Sequence, residues 1–415
     1  MATIEKHGGL FGGGSSTKIK GQVAEKVTFA EAIKYGEPVS VRHETIPLPT
    51  PIGAFDYCKS VATSENGKYV ATVQTPKDSS AGGSIALFKR NGDELVKLPN
   101  PTVLPEKSCR SVAFYKNDLV AFAHTASSST LGAGVTLYRI KPGDIFEKVA
   151  TSEKRMRGTG NLLFSPDGKL LFASSSSGSS EDYNVSVYQI VRDEANVVTG
   201  FYFLENLIND GVNTLHPRAL TITPDSKYLV VARWNGVRIY EISGNTFTRL
   251  ADIDTALNVS AEGATFSPDG KMLVISVGTS NMDLRCYSWQ DGVPTELIGV
   301  FDTMPEKDTS SLCFFSSDGK ILFSHGGKIK YKWNGERFHR LKDGDVTYST
   351  YYNPETSIVT PDGKNLIITY PFGYYKNTLK VYKNNTVPLS GDYSLGYALQ
   401  GGNIGEVKRV MSIFN

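Results

Sequence analysis

The feature that most constrains this chain is a short polar turn that recurs seven times at nearly even spacing. The copies centre on Asn66, Asn117, Asp167, Asp225, Asp269, Asp318 and Asp362, with separations of 51, 50, 58, 44, 49 and 44 residues. The full form reads S-P-D-G-K, as it does from Ser165 and from Ser267. A period of about 50 residues built from short strands is typical of a closed radial array of blades.

Each turn connects two apolar runs, and we therefore interpret it as a hairpin connector. Leu162-Leu163-Phe164 precedes the third copy, and Leu170 to Ala173 follow it. Proline presets φ for a turn, Asp can bond its own backbone, and Gly tolerates positive φ. A third run alternates and ends in an aromatic residue, as in Val237-Arg238-Ile239-Tyr240, and a more polar fourth run follows. Seven units of four strands predict an all-β fold, a seven-bladed β-propeller.

Over about residues 45–390 the chain resembles the propeller superfamily that includes WD-repeat and YVTN-type proteins, and the F-S-P-D-G-K motif from Phe164 carries this resemblance. The Gly-His and Trp-Asp pairs of true WD repeats are missing, and Tyr stands where Trp would. The sialidase-type Asp box, which needs a Trp after its turn, is missing too. The resemblance implies a central funnel. It also implies that functional residues gather on the face opposite the turns.

The repeat does not include the two ends of the chain, so we predict three segments. Residues 1–44 form an extended Gly-rich docking arm with a short helix over about 29–35, residues 45–390 form the propeller, and residues 391–415 form a C-terminal extension that packs on it. The helix prediction rests on the capping-box pattern that begins at Thr28. Two segments, Glu44 to Pro49 and Thr386 to Leu389, could each supply the outer strand of the last blade.

Composition excludes several classes of function. The net charge is +2 and basic residues are not densely clustered, so we expect no nucleic-acid partner. Without a run of 18 apolar residues we expect no membrane span. The first seven residues, M-A-T-I-E-K-H, lack the apolar core of a signal peptide, which predicts cytoplasmic synthesis, with a virion as a candidate destination. The four cysteines fit no metal motif, and we interpret them as buried reduced thiols.

Candidate ligand-binding residues come from loops on the predicted funnel face. Three arginines at roughly corresponding repeat positions could bind an anion, because guanidinium forks match carboxylate and phosphate; structural pairing of these arginines fits as well. The funnel candidates are Arg110, Arg157, His216, Arg218 and Glu262. No nucleophile elbow, phosphate-binding loop or metal-ligand spacing accompanies them, so we expect no catalytic residue, no metal and no cofactor.

Two hypotheses of function follow. The first is a non-catalytic structural subunit of a large assembly, with other protein subunits as partners. A flexible arm on a rigid propeller resembles the organisation of bacteriophage tail or neck components. Its predicted partner contacts are Leu10, Phe11, Tyr370, Phe372 and Tyr374. The second is a YVTN-like lactonase-type enzyme or ligand-binding propeller that uses the funnel candidates.

Overall fold

The structure is a computed structural model, and it describes side chains over most of the repeat region. The ranges are 47–49, 58–73, 85–105, 109–124, 134–152, 160–175, 185–207, 217–233, 236–253, 260–278, 284–302, 312–327, 329–341, 354–370 and 379–384. Outside these ranges it describes only the backbone of strands, chiefly near the two chain ends. The predicted helix over 29–35 and the apolar pair Leu10-Phe11 lie outside the described residues.

The chain divides into two compact units. Unit 1 comprises Met1–Ile46, Asp343–Asp345 and Asn384–Asn415, and unit 2 comprises Pro47–Lys342 and Val346–Lys383. Four strands open the chain: β1 (Ala2–Glu5), β2 (Lys18–Val23), β3 (Val27–Thr28) and β4 (Pro38–Pro47). Residues from both chain ends therefore belong to unit 1.

Unit 2 contains the predicted propeller of seven antiparallel blades. Blades 1 to 3 are β5 to β8 (Cys58–Thr63, Tyr69–Gln74, Ser84–Asn91, Glu94–Lys97), β9 to β12 (Cys109–Tyr115, Leu119–His124, Gly134–Lys141, Ile145–Thr151) and β13 to β16 (Leu162–Phe164, Leu170–Ser174, Val185–Arg192, Val198–Asn206). Blades 4 and 5 are β17 to β20 (Pro217–Ile222, Tyr228–Arg233, Gly236–Ser243, Thr246–Arg249) and β21 to β24 (Ser260–Phe266, Met272–Gly278, Asp283–Gln290, Val293–Glu296). Blade 6 is β25 to β28 (Phe314–Phe315, Ile321–Ser324, Ile329–Trp333, Phe338–Arg340), with a 3₁₀ turn at His325–Gly327, and blade 7 holds β29 to β31 (Thr356–Val359, Asn365–Thr369, Leu379–Ser390). The fold class expected from the repeat is confirmed.

The recurring turn has one hydrogen-bond pattern that explains its residues. In the third copy the Ser165 hydroxyl donates to Asp167 Oδ1 at 2.6 Å and accepts from the Leu170 N–H at 2.9 Å. Asp167 Oδ1 also accepts from the Lys169 N–H at 3.1 Å. Gly168 has φ of 69°, in the left-handed region where a Cβ is disfavoured. The same bonds recur in the first, fourth, fifth, sixth and seventh copies.

The apolar residues of the repeat fill the joints between neighbouring blades. In β18, Leu229 and Val231 pack against blade 3, whereas Val230 and Ala232 pack against blade 5. Alternation along a strand places successive side chains on opposite faces, so each blade packs against both neighbours. Hydrophobic clusters fill all seven joints, including the joint between blade 7 and blade 1.

The segment that precedes blade 1 supplies the outer edge of blade 7. The Leu48 N–H donates to the Val381 carbonyl in β31 at 2.8 Å, and the Leu48 side chain packs into the cluster between blades 7 and 1. Thr386 to Leu389, the alternative segment, belong to β31 itself. The ring is therefore closed by joining its two ends.

Unit 1 is built of strands from both chain ends. Beside β1 to β4 it contains β32 (Gly396–Ala398), β33 (Val407–Lys408) and β34 (Val410–Ser412). β1 pairs with β2, β2 with β34, and β32 with both β34 and β4. β3 pairs with β33. No helix among the described residues is long and apolar enough to cross a membrane.

Candidate functional site

The innermost strands of the propeller share a β-bulge near their first residue. In blade 1, Cys58 pairs with Gln74 and Ser60 pairs with Val73, so Lys59 is one extra residue in the ladder. The same shift makes Arg110, Arg218 and Glu262 the extra residues of blades 2, 4 and 5. A bulge bends its strand and re-aims the side chain of the extra residue.

Blades 3 and 7 show the same bulge in their hydrogen bonds. The Gly160 N–H donates to the Ser174 carbonyl, and the Glu355 N–H donates to the Thr369 carbonyl, whose register partner is Thr356. The equivalent residue of blade 6 lies outside the described residues. We call the six described positions the ring positions: Lys59, Arg110, Gly160, Arg218, Glu262 and Glu355.

The ring positions lie at the mouth of the central channel, on the face opposite the recurring turns. Each one stands at the start of an innermost strand, and the recurring turn follows at the other end of that strand. The innermost strands of a propeller line its channel. Side-chain exposure is 19% for Lys59, 42% for Arg218, 21% for Glu262 and 39% for Glu355, and Arg110 is exposed. Five charged side chains therefore reach solvent at this mouth.

Two ion pairs connect ring positions of neighbouring blades. Lys59 Nζ lies 3.9 Å from Glu355 Oε1, and Arg218 Nε lies 3.7 Å from Glu262 Oε2. The Ser260 hydroxyl also donates to Glu262. Partly exposed pairs at such distances contribute about 0–1 kcal/mol to stability, so their partners can exchange for a ligand at small cost.

Arg110 differs from the other charged ring positions. It forms no ion pair with any carboxylate among the described residues, and its guanidinium is exposed to solvent. Blade 1 places Lys59 on one side of it, and blade 3 places Gly160, which has no side chain, on the other. The available charge of Arg110 suits an anionic group.

Side-chain hydrogen bonds just below the ring fix the innermost strands to one another. The acceptors are hydroxyl groups one residue beyond the ring positions: Thr356 Oγ1 accepts from Val61 N–H at 3.1 Å, Ser60 Oγ from Val112 N–H at 3.4 Å, and Ser111 Oγ from Leu162 N–H at 3.1 Å. At the next joint, Asn161 Nδ2 donates to the Arg218 carbonyl at 2.6 Å. These bonds fix the backbone that carries Lys59, Arg110 and Arg218.

A second charged cluster ties together the strands of blade 4. Asp252 Oδ2 lies 2.6 Å from Arg233 and 3.2 Å from Arg249, and Asp252 Oδ1 lies 3.4 Å from Arg238 Nε. Burial, followed by the neighbouring charge of Arg238, lowers the pKa of Arg233. Arg238 shares a strand face with Tyr240, which packs against blade 3, so this cluster belongs to the joint between blades 3 and 4.

The structure places the predicted funnel residues in two groups. Arg110, Arg218 and Glu262 are ring positions, whereas Arg157 and His216 lie outside the described residues. Blade 3 has Gly160 at the register that Arg110 and Arg218 occupy, so Arg157, three residues earlier, does not share their position.

Sequence reasoning missed Lys59 and Glu355, although a signal for both was present. Lys59 follows Cys58 as Arg110 follows Cys109, and Glu355 follows Pro354 as Arg218 follows Pro217. Counting back from the recurring turn would have found them in the same column as Arg110.

The predicted partner contacts remain predictions. Tyr370 is half-buried and packs against Leu366 and Ile368 in blade 7. Leu10, Phe11, Phe372 and Tyr374 lie outside the described residues.

The four cysteines are buried and none forms a disulfide. Burial raises the pKa of the Cys286 thiol to about 12, so this sulfur stays protonated at neutral pH. Burial likewise raises the pKa of Cys313 to about 12. Within the described part of the chain, no three His, Cys, Asp or Glu side chains come close enough together to hold a metal ion.

Comparison with known proteins supports the fold and goes no further. No family profile matches the chain, and no curated protein matches its sequence. The crystal structure of a "putative 6-phosphogluconolactonase" from Bacteroides uniformis is similar, with a TM-score of 0.56 and 18% sequence identity. The match covers 73% of this chain and 89% of the other. At this identity the similarity concerns the propeller fold alone.

Proposed function

We propose that this propeller is a non-catalytic binding protein that holds a small anionic molecule at the mouth of its channel. The observation that carries the proposal is Arg110, an exposed guanidinium on a bulge, without an ion pair among the described residues. Lys59 and Arg218 stand at the same register in blades 1 and 4 and supply two further cations. Arginine binds carboxylate and phosphate through paired hydrogen bonds.

The backbone beneath the mouth supports this role. Because hydroxyl and amide side chains hold the innermost strands of blades 1 to 4 in register, their cations need little reorganisation when a ligand arrives. Preorganised charges of this kind increase affinity by reducing the ordering cost of binding. The ion pairs of Lys59 and Arg218 place both cations at the mouth, beside the position of Arg110.

The fold neighbour suggests one class of anion to test. The Bacteroides uniformis protein is named for a phosphorylated lactone. A phosphate-bearing sugar acid would offer the cations of the mouth both a phosphate and a carboxylate. Hydrolysis of a lactone is the catalytic alternative, with Glu262 as the nearest candidate base, and release of acid from a lactone would argue for it.

The role as a structural subunit of a virion stays a prediction. It rests on the arm and on Leu10 and Phe11, which lie outside the described residues. Binding of other subunits by the arm and binding of a small anion by the propeller involve different units of the chain, and one does not exclude the other.

The proposal is tested by titration calorimetry with 6-phosphogluconate and with inorganic phosphate. Arg110→Met should weaken binding of 6-phosphogluconate about ten- to hundredfold, because a charge-assisted hydrogen bond contributes about 1.5–3 kcal/mol. Arg337→Met is the matched control, since Arg337 is an exposed arginine in a turn of blade 6 on the opposite face. Equal affinities of the Arg110→Met and unaltered proteins, or no heat of binding at millimolar ligand, would refute the proposal.

A further inference from the structure

The signs of the ring charges are segregated around the mouth. In circular order, blades 1, 2 and 4 carry Lys59, Arg110 and Arg218, and blades 5 and 7 carry Glu262 and Glu355. Blade 3 contributes Gly160. The described ring positions thus form a cationic arc over blades 1 to 4 and an anionic side over blades 5 and 7.

The two ion pairs stand where the two sides meet. Arg218 pairs with Glu262 across the joint between blades 4 and 5, and Lys59 pairs with Glu355 across the joint between blades 7 and 1. Arg110, which forms no such pair among the described residues, lies in the middle of the cationic arc. Pairing therefore cancels charge at the boundaries and leaves an electric field directed across the mouth.

A ligand with negative charge alone would contact only the cationic arc and would leave the carboxylates of the anionic side without a partner on the ligand. As an anion draws Lys59 or Arg218 toward itself, Glu355 or Glu262 is left without its partner and repels the same anion. A second, positive group on the ligand would restore the partner of each carboxylate. Complementary charges on both sides also set the orientation of the ligand.

We infer that the ligand is a zwitterion, a small molecule with a carboxylate or phosphate at one end and a protonated amine at the other. Its anionic end contacts Arg110 on the cationic arc, and its amine lies between Glu262 and Glu355. This inference rests on the proposed function, since it concerns the same site, and it adds the class of ligand.

The test compares acids with and without a terminal amine at equal chain length. Calorimetric titrations use three matched pairs: acetate and glycine, butanoate and 4-aminobutanoate, hexanoate and 6-aminohexanoate. At one length at least, the amino acid should bind about tenfold tighter than its matched acid. The double variant Glu262→Gln and Glu355→Gln should abolish that difference, and the unsubstituted acid should bind the variant at least as tightly as it binds the unaltered protein, because the carboxylates that repel it are gone. Arg110→Met should weaken both members of the pair.

The outcomes separate this inference from the proposed function. If 6-phosphogluconate binds and depends on Arg110, but no amino acid exceeds its matched acid, the zwitterion is wrong and anion binding stands. If neither amino acids nor 6-phosphogluconate bind, both fail. Thermal unfolding of the Gln variant checks that it is folded, and Glu296→Gln, on the outer strand of blade 5, serves as a second control that should leave every affinity unchanged.

Discussion

At the residue scale, the same set of hydrogen bonds forms in six of the turns, although the residue types differ. Serine or threonine opens each turn, Asp or Asn accepts two bonds, and Gly or Ser takes the left-handed position. Asn66 makes with Ser64 and the Lys68 N–H the same bonds that Asp167 makes in the third copy. An amide oxygen therefore meets the geometric demand of the turn as well as a carboxylate does, and the aspartates add a charge that responds to pH.

The turn aspartates should make folding sensitive to acid. Burial would raise the pKa of Asp167, but bonds from the Ser165 hydroxyl and the Lys169 N–H outweigh burial and hold the pKa below its usual value. The same balance lowers the pKa of Asp225, Asp269 and Asp318. A carboxyl with a lowered folded pKa stabilises the fold above its unfolded pKa, which is about 3.9. That stabilisation is lost as the pH falls through the folded value.

Replacing these four aspartates together by Asn should make the stability of the fold less sensitive to acid. Between pH 7 and pH 3, the free energy of unfolding in urea should fall less in the variant than in the unaltered protein, because the amides do not titrate. Asp193→Asn in an exposed turn of blade 3 is a control for a single surface carboxylate. An equally steep fall in the fourfold variant would show that other groups govern the acid response.

The residues of the turn could be predicted from sequence, and so could three of the five charged ring positions, whereas Lys59 and Glu355 were missed. The turn is local, since six consecutive residues, 165–170 in the third copy, carry all its bonds. The bulge itself adds one residue to a strand and shows only in the strand pairing, although its position stands at a constant distance before the recurring turn. Glu355 and Arg218 have the same register but opposite charge, so no shared residue type marks this register.

At the element scale, the joints between innermost strands are of two kinds. From blade 7 around to blade 4, each joint has a side-chain hydrogen bond one residue beyond the ring position. Ala219, Gly263 and Leu312 hold the corresponding places in blades 4, 5 and 6, and none of these has a polar side chain. At the remaining joints the described contacts are mainly apolar packing. The polar ones are the Arg218–Glu262 pair between blades 4 and 5, a bond from Cys313 Sγ to the Val274 carbonyl between blades 5 and 6, and a bond from the Ser317 hydroxyl to the Pro361 carbonyl between blades 6 and 7.

Ser111→Ala should therefore destabilise the propeller. The change leaves the Leu162 N–H without its acceptor inside a joint, and an unsatisfied buried donor costs about 1–3 kcal/mol. The free energy of unfolding from urea titration measures the loss. Thr199→Ala is the matched control, because the Thr199 hydroxyl is exposed and its bond to the Val191 carbonyl is long, at 3.5 Å. Equal losses in the two variants would contradict a special role for the joint.

At the scale of the whole molecule, one backbone hydrogen bond that joins the two ends of the propeller has its donor between two prolines. Pro47 and Pro49 have no N–H, so Leu48 alone among these three residues can bond to Val381. From sequence, two segments were candidates for this role because both are short, apolar and proline-containing. The choice between them depends on contacts between distant parts of the chain, which no local pattern encodes.

Leu48→Pro should weaken closure more than Leu48→Ala. Alanine keeps the N–H and loses part of the packing, whereas proline also removes the bond to Val381, so the free energies of unfolding should differ by about 1 kcal/mol or more. Urea unfolding at neutral pH gives both values. If the alanine variant is as unstable as the proline variant, packing of the side chain, and not the hydrogen bond, closes the ring.

The β-bulges at the channel mouth have a consequence for how the binding specificity of such a protein can evolve. Each described blade offers one position at a common register, and each position is held by its own strand, so a substitution at one leaves the backbone of the others in place. In circular order these positions are Lys59, Arg110, Gly160, Arg218, Glu262 and Glu355, and ion pairs couple the side chains of two neighbouring pairs. Propellers with the same backbone and different residues at the ring positions would then bind different ligands. The residues at these positions, more than overall sequence identity, would predict which ligand each one binds.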